Sequence, residues 1–261
     1  MKKQDKSKEK KVVSTVPSQK ADNLPVQLSQ TDMQQMYGDM TQEDFKIPRM
    51  VILEGLSPEV SDGLGKPGEI FIKSLNMNLG KDPLRIVVLL RQKSRIKWNA
   101  LDKGGGIACQ SLNGRTGVGA PGGSCYECAE QIWNGQEKPI CDLYENFIVV
   151  LPEHPELPPV AISGNRSRLA KFKDFNTMLE VHRMKGRPLF DKEYIIKVIP
   201  KANKQGAKFH ILQFMPTIEN ALLNSEQVAG YMTMFKNMSA KPVIIDMERE
   251  TEVGLKQVEG I

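Results

Sequence analysis

Four cysteines are the residues of this chain whose type and spacing indicate the most specific chemistry. Two residues between thiols let one tight turn direct both sulfurs at one metal ion, and four thiolates leave no open coordination position. The spacing therefore predicts a structural Zn2+ site, with two disulfides or four free buried thiols as the alternatives. The cysteines, the only ones in the sequence, form the pattern Cys-x15-Cys-x2-Cys-x12-Cys: Cys109, Cys125, Cys128 and Cys141.

The segment that carries the cysteines, residues 104–142, is rich in Gly, Asn and Pro and has too few large apolar residues to bury a core of its own. A bound metal would supply the folding free energy that the segment lacks. The sequence opens without an apolar signal segment, so we expect a cytoplasmic location, where disulfides are disfavoured.

A long basic strand is the second feature. Residues 84–98 are rich in Ile and Val, and alternation along a strand places four cations on one face: Arg91, Lys93, Arg95 and Lys97. Alternate residues lie roughly 6.5–7 Å apart, close to the phosphate spacing of an extended single strand. This row predicts an anionic, backbone-tracking partner; the alternative is a solvated edge strand guarded by its charges. Trp98 falls on the opposite face and is expected in the core unless a bulge intervenes.

Further cations and aromatic residues could extend such an interface. A helix is predicted from Arg166 to about Met184, because apolar residues recur there at spacings of three and four: Leu169, Phe172, Phe175 or Asn176, and Leu179. Its first turns carry Arg166, Arg168 and Lys171, where the helix dipole disfavours positive charge unless a ligand compensates it. A solvated helix face is the alternative. The candidate base-stacking residues, each of which could instead pack beneath the metal loop, are Tyr126, Trp133 and Tyr144.

The order of predicted elements indicates a mainly β fold with some helix. Strands precede and follow the cysteine segment, one long helix comes next, and a hairpin closes the body, as in an oligonucleotide/oligosaccharide-binding (OB) fold. We therefore expect an OB-fold-like five-stranded barrel over residues 47–218, with a zinc ribbon or knuckle inserted at 104–142. Residues 1–46 are expected to form a disordered basic tail with one weak helix, and residues 219–261 a helix and tail.

No catalytic motif is found in the sequence. The letters G-x-G-x-x-G at residues 117–122 lie inside the cysteine segment and contain a proline, and the three histidines are scattered. No run approaches the roughly 18 apolar residues of a membrane span. A formal net charge of +5 permits an anionic partner. We therefore expect a binding protein without enzymatic activity that does not enter a membrane.

Several stretches resemble a family of bacteriophage proteins described as single-stranded DNA-binding or replication accessory proteins: IPRMVILEGLSPEV, KPGEIFIKSLNMNLGK, LLRQKSRIKW, GGGIAC, CYEC and ENFIVVLP, all between residues 47 and 216. A looser likeness is to the zinc-containing helix-destabilising protein of T4-like phages, whose site includes a histidine where this chain offers four cysteines. Only the idea of a zinc-supported barrel transfers from that likeness.

The resemblance implies a single-stranded DNA-binding protein in the cytoplasm of a bacterial host, whose partners are single-stranded DNA and phage replication or recombination proteins. The cationic row implies that it holds the phosphate backbone without reading sequence. An alternative from another class is a zinc-ribbon adaptor in phage replication or transcription that acts mainly through protein–protein contacts, with the cysteine segment as its docking surface.

Overall fold

The computed structural model describes residues 29–38, 44–135, 137–202, 206, 208–217, 223–240 and 242–247. The chain divides into two compact units, residues 1–41 and 42–261. In the first unit, helix α1 (Gln30–Tyr37) begins after Ser29, whose Oγ accepts a hydrogen bond from the Asp32 backbone N–H at 3.1 Å. The basic tail expected before this helix, and the last residues of the chain, lie outside the described residues.

The second unit is mainly β, as the sequence predicted. The helices in its described residues are α2 (Pro58–Ser61), α3 (Leu169–Met184) and α4 (Ser225–Ser239). Short 3-10 turns lie at Lys73–Leu75, Leu101–Lys103, Ala129–Gln131 and Arg166–Arg168. The strands are β1 (Arg49–Ile52), β2 (Ile70–Ile72), β3 (Met77–Gly80), β4 (Leu84–Trp98), β5 (Ile107–Ser111), β6 (Thr116–Gly119), β7 (Gly123–Ser124), β8 (Cys141–Val150), β9 (Val160–Asn165), β10 (Glu193–Ala202) and β11 (Lys208–Pro216). None of the helices in the described ranges is both long and apolar enough to cross a membrane.

The strands form one mixed sheet in the order β3-β2-β1-β9-β8-β4-β5-β6-β7, with β10 and β11 branching from the first half of β4. The ladders between these strands are antiparallel except that of β1 with β9, where Arg49 lies opposite Ala161. Strand β4 occupies the predicted residues. It pairs with β8 along one side, and on the other side with β10 over residues 84–87 and with β5 over residues 95–98. The edge-strand interpretation is therefore wrong for Arg95 and Lys97, whereas in the described part of the chain the stretch with Arg91 and Lys93 pairs with β8 alone.

Two apolar cores lie on the two faces of the sheet. The first is aromatic: Phe172 and Phe175 of α3 pack on Phe147 of β8 and Phe214 of β11. Leu179 extends the same helix face at the spacing of three and four residues that the sequence showed. The second core packs α4 and the segment 242–247 on the opposite face of β4, around Leu89 and Val87.

A β-bulge changes which residues of β4 share a face. Val88 lies opposite Val149 and Leu90 opposite Ile148, so Leu89 is an extra residue in β4. Directly opposed residues share a face, and Arg91 lies opposite Phe147 of the aromatic core. The row from Arg91 to Lys97 therefore lies on the aromatic side of the sheet. Strict alternation along residues 84–98 would place Arg85 on the same face as this row, but the bulge at Leu89 places it on the other side of the sheet.

The sheet is open, so the prediction of a closed five-stranded barrel is wrong. Within the described residues, β11 pairs only with β10, and β3 only with β2. A side chain joins the branch with β1, β2 and β3 to the branch with β10 and β11. In a closed barrel, backbone hydrogen bonds between strands would join them instead. The carboxylate of Glu54, just after β1, accepts the backbone N–H of His210 at 2.9 Å and lies 2.9 Å from His210 Nδ1.

We expect Glu54→Gln to lower the free energy of unfolding by about 1–3 kcal/mol, because a hydrogen bond to a charged group contributes about that much. Chemical denaturation monitored by circular dichroism would measure the change. The matched control is Glu156→Gln, which alters an exposed carboxylate beside His154 and should change stability by less than about 0.5 kcal/mol. Equal effects of the two substitutions would contradict a role for Glu54 in joining the branches.

Candidate metal centre and basic strand

Two of the four cysteines lie on either side of Lys97. Cys109 of β5 and Cys141, the first residue of β8, each lie directly opposite Lys97 in the two strands that flank β4. Opposed residues on neighbouring strands point to the same face. The ends of three adjacent strands therefore bring two thiols and an ammonium group together, although the cysteines are 32 residues apart (141 − 109).

The other two cysteines come from a turn that we call the knuckle, residues 125–131. The Cys125 N–H donates to the Arg115 carbonyl oxygen at 2.7 Å, and the Gln131 side-chain amide donates to the Tyr126 carbonyl oxygen at 2.9 Å. These bonds close the turn and fix it beside β6. The four cysteines then line one pocket together with Arg95, Lys97, Ser111, Gly117, Pro121, Gly122, Glu130 and Gln131.

Glycines make room for this pocket. A Cβ at Gly117 would lie 2.9 Å from the Cys109 sulfur, so a side chain there would occupy the space that faces the thiol. Gly119 has a φ of +116°, and a Cβ on it would lie 2.2 Å from the Ala108 carbonyl oxygen. The close approach of β6 to β5 thus depends on glycine at both positions.

The thiols suit zinc by chemistry. All four are free in the structure, so the disulfide alternative is not observed. Burial raises the pKa of the Cys141 thiol to about 11, while the charge of Arg95 acts in the opposite direction. In the described part of the chain, no group of three or more His, Cys, Asp or Glu side chains is placed to hold a metal ion. The chemistry of four thiols and the space that Gly117 leaves beside Cys109 would suit a thiolate-bound ion, but the four side chains are not arranged as a ligand set in this structure, and zinc stays a prediction.

The basic row is partly neutralised by two carboxylates that the sequence analysis missed. Arg91 forms an ion pair with the buried Glu145 of β8, and Lys97 Nζ lies 2.5 Å from Glu130 Oε1 in the knuckle. Within the described residues, Lys93 and Arg95 form no ion pair. Strand pairing is what brings Glu145 opposite Lys93, and that register could not be read from the sequence.

The cations near the start of α3 do not join the row. Arg166 donates two hydrogen bonds to Asp142, at 2.8 and 2.9 Å. Asp142 follows Cys141 in β8 and so faces the other side of the sheet. Lys171 pairs with Asp174 within its own helix at 2.8 Å. Arg168 lines a separate groove between β1 and β11. The structure thus divides the predicted cations between different surfaces.

The candidate stacking residues also separate. Tyr126 in the knuckle and Trp133 just after it are 70% and 61% exposed. Tyr144 is 2% exposed, so the prediction that it stacks on a ligand is wrong, because β8 buries it. Trp98 is half-buried. At the register shift beside Trp98, the extra residue is Ala108 of β5. β4 itself has no extra residue between Arg95 and Trp98, so no bulge turns the Trp98 side chain to the other face of the sheet.

Comparison with known proteins places the chain in a phage family. A family model described as "Pam3 phage gp34-like protein" matches residues 18–237, which is most of the chain. No curated protein and no solved structure matches. The expectation of a phage protein is confirmed at that level, and single-stranded DNA binding stays a prediction. The chain belongs to the Pam3 phage gp34-like protein family.

Proposed function

We propose that this protein is a non-enzymatic single-stranded DNA-binding protein of a phage replication or recombination system, which holds the phosphate backbone without reading sequence. The observation that carries the proposal is the row Arg91, Lys93, Arg95 and Lys97 on one face of the central strand β4. Four like charges in a row repel each other, and two carboxylates offset only part of that repulsion. The remaining positive charge would attract an extended polyanion.

Exposed aromatic residues support the same reading. Tyr126 lies in the knuckle between Cys125 and Cys128, which line the pocket beside Arg95 and Lys97, and Trp133 lies two residues after the knuckle. Stacking of a base on an aromatic side chain contributes about 1–3 kcal/mol and is tolerant of sequence. Phosphate contacts by the row and stacking by these rings would together give affinity without base-specific hydrogen bonds.

Zinc has a structural role in this proposal. Cys109, Cys125, Cys128 and Cys141 would hold Zn2+ with four thiolates, which leaves no position for a reacting water. The ion would join the knuckle to the ends of β5 and β8 and so fix the surface that carries Tyr126. The residues of this chain, and not the ion, would contact the DNA.

A second candidate function, the adaptor that acts through protein contacts, is favoured by a different observation. Large apolar side chains in the cysteine segment are exposed, among them Ile132, Trp133 and Ile140, each about 60% exposed or more. Such side chains on a surface are typical of protein-docking sites. Under this function the segment would bind another replication or transcription protein.

A binding titration at two salt concentrations separates the two functions. We expect a fluorescein-labelled single strand to bind more tightly than the matching duplex at low salt, and to dissociate steeply as salt rises. Lys93→Gln should lower affinity to a similar degree for different sequences and reduce the slope of log K against log salt by about 0.7, the value for one phosphate contact on a single strand.

The control for this titration is Arg85→Gln, which removes a cation of the same strand on the opposite face, where Arg85 faces Glu153 and Glu193. Its slope should equal that of the unmodified protein. Absence of single-strand binding at low salt would reject the proposed function and leave the adaptor function. A change limited to one DNA sequence would instead indicate base readout.

A further inference from the structure

The second half of the basic row lies against the cysteines and not on open surface. Lys97 is opposite both Cys109 and Cys141, and Arg95 lies two residues before it on the same face. Both side chains line the pocket that the four thiols line. Arg91 and Lys93 do not line this pocket. The row is thus divided into two pairs of cations with different surroundings.

Lys97 also links the two halves of the cysteine site. Its ammonium nitrogen lies 2.5 Å from Glu130 Oε1, and Glu130 is two residues after Cys128 in the knuckle. Lys97 itself lies between the strands that carry Cys109 and Cys141. One ion pair therefore connects the pair of thiols on the strands to the pair in the knuckle. Both partners are only about one-quarter exposed, so solvent screens this contact less than a surface ion pair.

Charge balance gives Arg95 a similar role. Zn2+ bound by four thiolates carries a net charge of about −2, and placing that charge in a partly buried pocket is costly unless cations lie beside it. Arg95 lines the pocket, and among the described residues it has no carboxylate partner of its own. Groups that surround metal ligands commonly change metal affinity by about 10–100-fold when removed.

We infer that Arg95 and Lys97 are positioning residues of the cysteine site and not phosphate contacts. Lys97 fixes the knuckle against β5 and β8 through Glu130, and Arg95 offsets the charge of the thiolates. This inference refines the proposed function, because it limits the phosphate-binding part of the row to Arg91 and Lys93. It is tested by two experiments. The DNA arm, which measures DNA binding, rests on the proposed function, whereas the zinc arm, which measures zinc retention, is independent of it.

The zinc arm measures how strongly the full-length protein retains zinc against a chromogenic chelator. Lys97→Gln, Glu130→Gln and Arg95→Gln should each release zinc at about 10–100-fold lower chelator excess. The double variant of Lys97 and Glu130 should be no worse than either single variant, because the two residues share one contact. Lys97→Arg and Arg95→Lys keep the charge and should restore retention, which a purely steric role would not predict. Arg85→Gln, on the other face of the sheet, is the control and should retain zinc normally.

The DNA arm measures the salt dependence of single-strand binding for the zinc-loaded variants. Lys97→Gln and Arg95→Gln should leave the slope unchanged, whereas Lys93→Gln lowers it by about 0.7. A similar loss of slope in Lys97→Gln or Arg95→Gln with normal zinc retention would overturn the inference, as would purified protein that holds no zinc. Failure of every form to bind DNA would reject the proposed function alone, since the zinc arm would still decide the roles of Arg95 and Lys97.

Discussion

Cys125→Ser is expected to release the metal and to unfold the cysteine segment, residues 104–142, while the remainder of the sheet stays folded. The segment has almost no core of its own: between residues 104 and 141, the buried residues in the described part are Ser111, Gly117 and Cys125. Structural zinc binding contributes about 10–16 kcal/mol in small zinc peptides, so loss of one of four ligands removes most of what would hold this segment. The expected result is local unfolding and not global collapse.

Limited proteolysis together with zinc analysis would measure this effect. The variant should lose stoichiometric zinc and be cut within residues 104–142, and the unmodified protein treated with a strong chelator should be cut in the same region. Ser124→Ala changes the exposed neighbour of Cys125 and is the matched control, with normal zinc content and protection. Purified unmodified protein that holds no metal, or a Cys125→Ser variant whose segment resists protease as well as that of the unmodified protein does, would contradict the metal centre.

Local patterns predicted several elements correctly. The long Ile- and Val-rich run gave β4 its bounds, and the apolar spacing of Phe172, Phe175 and Leu179 located the buried face of α3. Both features depend on residues close together in the sequence, where periodicity and spacing are informative. The four cysteines line one pocket, but their side chains are not placed as a ligand set, so the metal site stays a prediction.

Pairings between distant segments could not be predicted. The bulge at Leu89, which moves Arg85 to the other face, is visible only once the β4–β8 register is known. The parallel pairing of β1 with β9 joins segments more than 100 residues apart (161 − 49) and has no local sequence signal. The same applies to Gln92, whose side-chain amide exchanges two hydrogen bonds with the backbone of Val243, and to Glu145, which neutralises Arg91. The sequence therefore predicted individual β-strands and helices better than it predicted sheet closure and the pairing of charged residues.

The predicted metal site and the basic row depend on different parts of the fold. The cysteine segment would depend on a metal ion, whereas the basic row is carried by β4, which the aromatic core and the second core support from its two faces. Removal of zinc should therefore leave Arg91 and Lys93 in place. A substitution in the aromatic core should do the reverse, lowering the stability of the whole sheet without any direct effect on the thiols.

Phe175→Ala is expected to lower the free energy of unfolding by about 3–5 kcal/mol, the usual cost of removing a fully buried phenylalanine. Phe175 is 0% exposed and joins α3 to two branches of the sheet. Its ring stacks on Phe214 at 4.3 Å between centroids and meets Phe147 and Tyr194 edge-on, each at 5.0 Å. Each such aromatic pair adds about 0.5–1.5 kcal/mol beyond buried area, so we expect the upper part of the range.

Denaturant unfolding followed by circular dichroism would measure this loss, and zinc retention would be measured on the same samples in native buffer. Domains of this kind have a total stability of about 5–15 kcal/mol, so the variant should show a clearly lower midpoint while still folded in buffer. Val181→Ala shortens an exposed side chain of the same helix and should change stability by less than about 0.5 kcal/mol. If Phe175→Ala lost zinc in native buffer while the sheet was still folded, the aromatic core would act directly on the metal centre, and the independence of the two that the burial pattern indicates would be wrong.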